Sequence, residues 1–190
     1  SFKSIASGAF TECEGLTSLV LSEGLETIKS GALQVVRNLK SVTIPKSLKT
    51  IGEWNFTYAD EIAVHISDLE SWCHMSFSSN PISRNGHLYM SGKEVTELIL
   101  YSSLETINDM AFSGCKSIQS VIIEDGIKML GNCLFDGCQN LSTISFPNNS
   151  LTIGSSAFGH CPEITSIQGP QSIEVGEYVF GECPKLKRTT

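Results

Sequence analysis

The sequence lacks a long apolar run, and it has few cationic residues. None of its 190 residues falls in a stretch near the roughly eighteen consecutive apolar positions that a membrane-spanning helix requires. The opening SFKSIASGAF has no basic segment followed by an apolar one, as a secretory signal would. The chain has thirteen Lys and Arg residues and twenty Asp and Glu residues, which gives a net charge of −7. Nucleic-acid binding needs clustered cationic side chains. These features predict no membrane insertion and no nucleic-acid partner.

Motifs of catalysis and of cofactor binding are also missing. The chain contains no G-x-S-x-G, H-E-x-x-H, G-x-G-x-x-G or Walker lysine loop. Cysteine and histidine are adjacent at Cys73-His74 and at His160-Cys161, but there is no C-x-x-C and no second pair at zinc-finger spacing. The sequence therefore predicts a protein that is not an enzyme and that needs neither a metal nor another cofactor.

A repeat is present instead, and one large apolar position marks it. This position recurs after 23, 23, 56, 23, 23 and 22 residues, at Phe10, Leu33, Phe56, Phe112, Phe135, Phe158 and Phe180. The long interval equals one 22-residue repeat and one 34-residue repeat that carries an insertion. Self-similarity at this period predicts a solenoid, because one coil alone cannot bury its apolar face.

Each repeat opens with alternating apolar and polar residues, as in LTSLVL, LKSVTI, VTELIL and IQSVII. Alternation with a period of two predicts a strand with one buried face. A turn rich in Pro, Gly, Ser and Asn follows, and then a short segment such as MAFSGC or SAFGHC. Stacked coils would pair their strands in parallel at about 4.8 Å. We therefore expect one long parallel sheet with turns on the opposite side.

The repeat at residues 61–94 is expanded. After a strand at Glu61–Ile66, Ser67 and Glu70 have the spacing of a capping box, which predicts a short helix over DLESWCHMSF. The stretch GHLYMSGKEV predicts a hairpin with Ser91-Gly92 at its tip. Insertions in solenoids often carry function. The alternative is that this one only packs Trp72, Phe77 and Tyr89 over a neighbouring coil.

The unit L-x-x-L-x-I-P-x-x-L-x-x-I-G-x-x-A-F-x-x-C, carried by Leu141–Cys161 and Val95–Cys115, resembles the BspA-type leucine-rich repeat. The resemblance implies an α/β leucine-rich-repeat solenoid, with short helical or irregular segments opposite the sheet. It also implies a cell-surface or secreted protein linked to adhesion. The usual turn asparagine of leucine-rich repeats is replaced by Ser, Pro or Gly, so we expect shorter, irregular segments opposite the sheet rather than long helices.

Both ends of the chain fall within a repeat, and no polar cap is visible at either end. We therefore interpret residues 1–190 as one leucine-rich-repeat domain from a longer protein.

Five cysteines occupy the same slot of their repeats: Cys13, Cys115, Cys138, Cys161 and Cys183. Stacking would bring neighbouring α-carbons to about 5 Å, which is within reach of a disulfide. Val36 and Ala59 fill the equivalent slot elsewhere. Because the slot accepts small apolar residues, buried free thiols are favoured over disulfides.

The outward face of the sheet is the predicted binding surface. Hydroxyl side chains dominate its edges, while its centre carries Ile62, His65, Ile99 and Ile122 as an exposed, largely apolar band. With the neighbouring Glu97, these residues are the predicted contact patch: Ile62, His65, Glu97, Ile99 and Ile122. The alternative is that β-branched residues merely suit a sheet surface. We expect an adhesin-like module that binds a protein or glycan of a host or neighbouring cell. The competing hypothesis is a passive spacer that presents another domain of the parent protein.

Overall fold

The computed structural model describes residues 2–168 and 173–187. The chain divides into two compact units, Ser1–Glu94 and Val95–Thr190, and each is described by itself. The assignment of the whole chain to one domain stays a prediction.

The first unit contains nine short strands and one helix. In chain order they are β1 (Ser4–Ile5), β2 (Ser18–Val20), β3 (Thr27–Ile28), β4 (Ser41–Ile44), β5 (Thr50–Ile51), β6 (Ala63–Ile66), α1 (Leu69–Cys73), β7 (Ser76–Phe77), β8 (His87–Met90) and β9 (Lys93–Glu94). They form two sheets, β1-β3-β5-β7 and β2-β4-β6-β8-β9. Every pairing is parallel except β8 with β9, which is antiparallel.

The second unit repeats this arrangement with eight strands and one 3-10 turn at Ser102–Leu104. The strands are β10 (Glu97–Leu100), β11 (Thr106–Ile107), β12 (Ser120–Ile123), β13 (Met129–Leu130), β14 (Thr143–Ser145), β15 (Leu151–Ile153), β16 (Ser166–Gln168) and β17 (Ile173–Val175). They form the parallel sheets β10-β12-β14-β16 and β11-β13-β15-β17. The strand-dominated parallel solenoid predicted from the repeat is confirmed.

The strands pair at the spacing of the repeat. Leu98, Val121, Ile144 and Ile167 are successive register partners, each 23 residues after the last. A parallel coil must keep this register, because a slip of one residue would turn every inward side chain toward solvent.

The prediction of a single sheet faced by turns was incomplete. Segments of two or three residues, such as Thr27–Ile28 and Met129–Leu130, form a second set of short strands, so the described strands of each unit form two sheets. Ile28, Ile51 and Ile107 in these strands are completely buried. A two-residue strand is too short for alternation to reveal it, and hydrogen bonds to the neighbouring coil are what create it.

The aromatic position forms a stack through the second unit. Phe112, Phe135, Phe158 and Phe180 lie with ring centroids 5.2, 5.3 and 5.4 Å apart and interplanar angles of 10, 10 and 11°. The first three of these rings are completely buried. Stacked rings at this distance add to the free energy gained by burying apolar surface.

The predicted helix is present but shorter than expected. It begins after Asp68, not Ser67, because Asp68 Oδ1 accepts a hydrogen bond from the Ser71 backbone N–H at 2.7 Å. Hydrogen bonds from Ser71, first from its side chain and then from its backbone, hold the pKa of Asp68 below its usual value. The helix ends at Cys73, and Ser76–Phe77 then forms β7, the last strand of the sheet β1-β3-β5-β7.

The predicted hairpin is confirmed. Tyr89 pairs with Glu94, and Met90 pairs with Lys93. Ser91 and Gly92 at the tip both have positive φ, 51° and 75°, as a two-residue type I′ turn requires.

Candidate binding surfaces

The wide sheet of the second unit, β10-β12-β14-β16, presents two outward rows. One row contains Glu97, Ser120, Thr143 and Ser166, and the other contains Ile99, Ile122 and Ser145. Ile99 is 43% exposed, and its direct register partner Ile122 is partly exposed. The intervening Leu98 and Val121 are buried beneath the sheet. The result is an apolar strip beside a carboxylate at one edge, with hydroxyl side chains toward β14.

The wide sheet of the first unit has a different character. Its outward residues change from hydroxyl-bearing Ser41 and Thr43 to the rings of His65 and Tyr89. These two rings stack with their centroids 4.9 Å apart. His87 Nδ1 is hydrogen-bonded to Glu94 Oε1 at the same edge.

Four of the five predicted contact residues lie on these faces. Glu97, Ile99 and Ile122 come together on β10 and β12 of the second unit, while His65 belongs to the first unit. Glu97, Ile99 and Ile122 are the part of the predicted patch that lies within one sheet, and the role of the patch in binding stays a prediction.

Ile62 does not lie on the outward face, so its predicted exposure was wrong. It is completely buried, and the preceding Glu61 is exposed. Ile62 is in phase with the buried Val64 and Ile66, so the period of two itself places it on the inward face, while Glu61, with a positive φ of 57°, is exposed. The Ile62 carbonyl accepts a hydrogen bond from the His87 N–H at 2.9 Å.

The insertion itself is mainly part of the core. Trp72 and Phe77 are both buried, with ring centroids 4.9 Å apart at an interplanar angle of 59°. Met75 and Ile82 are buried with them. Tyr89, on the outward face with the neighbouring His87, connects this segment to a candidate surface.

Side-chain ladders run along the turns, although the asparagine of the usual leucine-rich-repeat ladder is absent from the repeat. In the second unit, Asp109 Oδ1 accepts from Asn132 N at 2.7 Å, Asn132 Oδ1 from Ser155 N at 2.9 Å, and Ser155 Oγ from Glu177 N at 3.2 Å. In the first unit, Ser30 Oγ accepts from Glu53 N at 3.2 Å. The sequence did not reveal the ladder because its members change from Asp to Asn to Ser. These residue types share a side-chain acceptor oxygen, but no single residue type recurs.

One imidazole lies on the turn side of the second unit. His160 Nδ1 is hydrogen-bonded to Asp136 Oδ1 at 2.7 Å, and this bond raises the pKa of His160. The imidazole is largely exposed, so solvent screens the pair and its contribution to stability is small.

Two positions in each coil adopt left-handed backbone, two residues before and two residues after the aromatic position. The pairs are Gly8 and Glu12, Gly31 and Val35, Trp54 and Tyr58, Met110 and Gly114, Cys133 and Gly137, Ser156 and His160, and Tyr178 and Glu182. Among them, Trp54, Tyr58 and Tyr178 are exposed aromatic residues. Sequence reasoning missed these three, although each stands in a slot that glycine fills in other repeats: Gly8 and Gly31 for Trp54 and Tyr178, and Gly114 and Gly137 for Tyr58.

Within residues 2–168 and 173–187, no three His, Cys, Asp or Glu side chains converge to a potential metal site. No helix in the described part of the chain is long and apolar enough to cross a bilayer.

Comparison with known proteins assigns the repeat. The family model for the BspA type leucine-rich repeat region matches residues 1–85 and 83–190, with six copies. The chain belongs to this family. A search of curated proteins found no significant match.

Three solved structures resemble this BspA-type chain. A leucine-rich cell surface protein from Faecalibacterium prausnitzii is 18% identical, with a TM-score of 0.50, and the alignment covers 94% of this chain and 60% of that one. The leucine-rich repeat protein of T. pallidum is 20% identical, with a TM-score of 0.45, and the alignment covers 90% and 78% of the two chains. The pneumococcal vaccine antigen PcpA is 12% identical, with a TM-score of 0.39, and coverage is 100% and 75%. The chain spans 60% of the Faecalibacterium structure's length, and that likeness shows the fold alone.

The cysteine slot of this BspA-type chain is a ladder of thiol donors. Cys138 Sγ donates to the Phe112 carbonyl at 3.2 Å, and Cys161 Sγ donates to the Phe135 carbonyl at 3.1 Å. Cys183 Sγ donates to the Phe158 carbonyl at 3.2 Å. Each thiol thus satisfies a backbone acceptor in the preceding coil. All seven cysteines of the chain are free, as the sequence favoured.

The burial of these thiols makes a prediction about their reactivity. Burial raises the pKa of Cys73 and of Cys138, and little reactive thiolate forms in either. We expect a thiol reagent to leave the four buried cysteines of the native protein unmodified.

The reagent should titrate close to seven thiols once the unreduced protein is denatured. A count of three or fewer in denaturant would contradict the free-thiol assignment. The half-buried Cys13, Cys133 and Cys183 serve as the internal control, because they should react faster than the buried four.

Proposed function

We propose that this chain is a non-catalytic binding module of a cell-surface or secreted protein, and that the outward face of its second unit contacts a protein partner. The observation that carries the proposal is the strip of Ile99 and Ile122, exposed side by side next to Glu97. Protein interfaces place apolar side chains at their centre and polar groups around them. The description of the Faecalibacterium relative as a cell surface protein supports the location.

The geometry of the strip suits recognition of a partner. Ile99 and Ile122 are held by four consecutive register pairs between β10 and β12, so their backbone is rigid before any partner arrives. A rigid surface loses little conformational entropy on binding. Sheets with one face open to solvent commonly leave polar side chains there, whereas two adjacent isoleucines expose apolar surface to water.

The test compares the chain with a variant that carries Ile99→Asp and Glu97→Lys. Both would be applied to immobilised extracellular-matrix proteins. Truncation or charging of a central contact often costs 2 kcal/mol or more, so we expect the affinity for the bound protein to fall by about tenfold or more. The matched control is Thr152→Asp, which adds a charge at an exposed strand position of the same unit, outside the strip.

Selective binding that the double variant loses and the control keeps would support the proposal. Binding that survives in the double variant would place the contact elsewhere and contradict the proposed strip. A folded chain that binds none of the proteins would favour the passive spacer.

A further inference from the structure

The strip of Ile99 and Ile122 on the second unit is bordered by two carboxylates. Glu97 begins β10, and Glu124 directly follows the last residue of β12. Glu124 N donates to the Leu100 carbonyl at 2.9 Å, so the parallel ladder continues to this residue. By alternation, Glu124 lies on the same face as Ile122, and both carboxylates are exposed. The two isoleucines therefore lie between two acidic side chains.

The negative charge of this face is not balanced within the sheet. Strands β10, β12, β14 and β16 have the sequences ELIL, SVII, TIS and SIQ, and none of them contains Lys or Arg. Across residues 2–168 and 173–187, neither Glu97 nor Glu124 takes part in an ion pair. Glu105 of the same unit, by contrast, pairs with Lys128 at 2.9 Å. The outward face thus presents two carboxylates that a partner can neutralise.

One of these carboxylates is already held in place. Glu124 Oε2 accepts a hydrogen bond from the Ser102 N–H at 3.1 Å, at the end of the strip. A carboxylate has about four acceptor positions on its two oxygens, so this single bond leaves room for a cationic donor. Glu124 is therefore oriented before a partner arrives, which lowers the entropy lost on binding.

The spacing of the two carboxylates sets the length of the partner segment. Glu97 is the register partner of Ser120, and Glu124 lies four residues beyond Ser120 in the chain. At about 3.3 Å per residue and about 4.8 Å between strands, the α-carbons of the two glutamates are about 14 Å apart. An extended segment covers about 13 Å in four residues, and its side chains at i, i+2 and i+4 point to the same side. Three such side chains match one carboxylate, the isoleucines and the other carboxylate.

We propose that the partner of this face is an extended protein segment with a basic residue at i, an apolar residue at i+2 and a second basic residue at i+4. The inference rests on the proposed function, because it names the partner of the same strip. The apolar side chain packs on Ile99 and Ile122, and the Lys or Arg side chains pair with Glu97 and Glu124. Complementary charge of this kind raises the rate of association and disfavours acidic partners.

Other occupants fit this face less well. An acidic segment would be repelled by both carboxylates, and no cation on these strands would offset the repulsion. A wholly apolar segment would cover the isoleucines but would take water from the neighbouring carboxylates without pairing them, which costs free energy. A segment that combines basic and apolar side chains avoids both costs.

The experiment selects peptides on the intact chain. A library with five randomised positions between flexible Gly-Ser ends is panned against the immobilised chain. Enriched peptides should have Lys or Arg at the first and fifth positions and an apolar residue at the third. The affinity of the most enriched peptide is then measured in solution by fluorescence anisotropy. Raising NaCl from about 0.05 M to about 0.5 M should weaken binding about fivefold or more, because salt screens exposed charge pairs.

The test variants are Glu97→Gln and Glu124→Gln, which remove one charge each and keep the shape of the side chain. Each should weaken binding about twofold to fivefold, as the loss of an exposed charge pair does, and the double variant should lose most of the salt dependence. The matched control is Glu177→Gln, which removes the same charge from an exposed position on the turn side of this unit. The control should keep the affinity and the salt dependence of the parent.

Ile122→Ser separates this inference from the proposed function. The variant leaves the charge unchanged and places in the row the residue that Ser145 provides on the next strand. Weaker binding by Ile122→Ser, with unchanged binding by both glutamine variants, would overturn the basic segment and leave the strip as the contact. Unchanged binding by all three variants would overturn both proposals. The basic segment is also overturned if the library yields no binder, or if the enriched peptides are acidic or wholly neutral.

Discussion

Phe135→Ala is expected to destabilise the second unit by about 3–5 kcal/mol. Phe135 is completely buried and stacks on Phe112 on one side and on Phe158 on the other, at 5.2 and 5.3 Å. Its loss leaves a cavity that neither neighbour can fill, because each ring is held by its own coil through the parallel register. A loss of this size is a large part of the roughly 5–15 kcal/mol that stabilises a typical domain.

Urea unfolding followed by circular dichroism would measure the change. Phe135→Leu should cost clearly less than the alanine variant, since leucine occupies the same slot at Leu33 in the first unit. Tyr178→Ala provides the exposed control, with an expected change within about 0.5 kcal/mol. If Phe135→Ala cost no more than that control, the ring stack would not contribute to stability.

The second large effect is expected at Gly131, where a methyl group has no room. A β-carbon at this position would lie 2.5 Å from the Asp109 backbone nitrogen and 2.6 Å from the Asn108 carbonyl carbon. These are backbone atoms, so they cannot rotate away. Gly131→Ala must push two coils apart, and we expect a loss of about 1–3 kcal/mol or more from overpacking.

The close approach explains why a glycine directly follows the short strands β5, β13, β15 and β17. A β-carbon added at Gly154 would likewise lie 2.6 Å from the Asn132 backbone nitrogen and 2.6 Å from the Gly131 carbonyl carbon. At both sites, the residue after the glycine belongs to the side-chain ladder of the turns. The expected Gly131→Ala loss therefore includes strain on the hydrogen bond from Asn132 N to Asp109 Oδ1.

Gly15→Ala is the matched control for Gly131→Ala. A β-carbon there would meet nothing within 4 Å. The same substitution should leave stability unchanged or raise it slightly, because alanine restricts the unfolded chain. Equal midpoints for Gly131→Ala and the parent in urea unfolding would show that the coils separate without cost. That result would contradict the claim that the close approach of the coils requires glycine at this position.

The regular period of the sequence is enough to predict the coils, and the coils in turn predict the parallel pairing of the strands. A coil of constant length can pair with its neighbour only in the register set by that length, so the recurrence of Leu98, Val121 and Ile144 became the register of one sheet. The hairpin at Ser91-Gly92 was likewise readable, because a two-residue turn with positive φ depends on local residues. The free cysteines followed from the small residues that share their slot.

Tertiary structure alone decided which atoms of one coil meet those of the next. Comparison with the exposed Lys40 and Gln119 in the equivalent slot of other repeats predicts an exposed Ile62, yet Ile62 is completely buried. The thiols could be placed in a buried slot, but their carbonyl acceptors belong to another coil. The exposure and left-handed backbone of Trp54 depend in the same way on the coils beside it. Periodicity reports which residues repeat along the chain, whereas burial, hydrogen bonding and close approach arise between chain segments that the period does not describe.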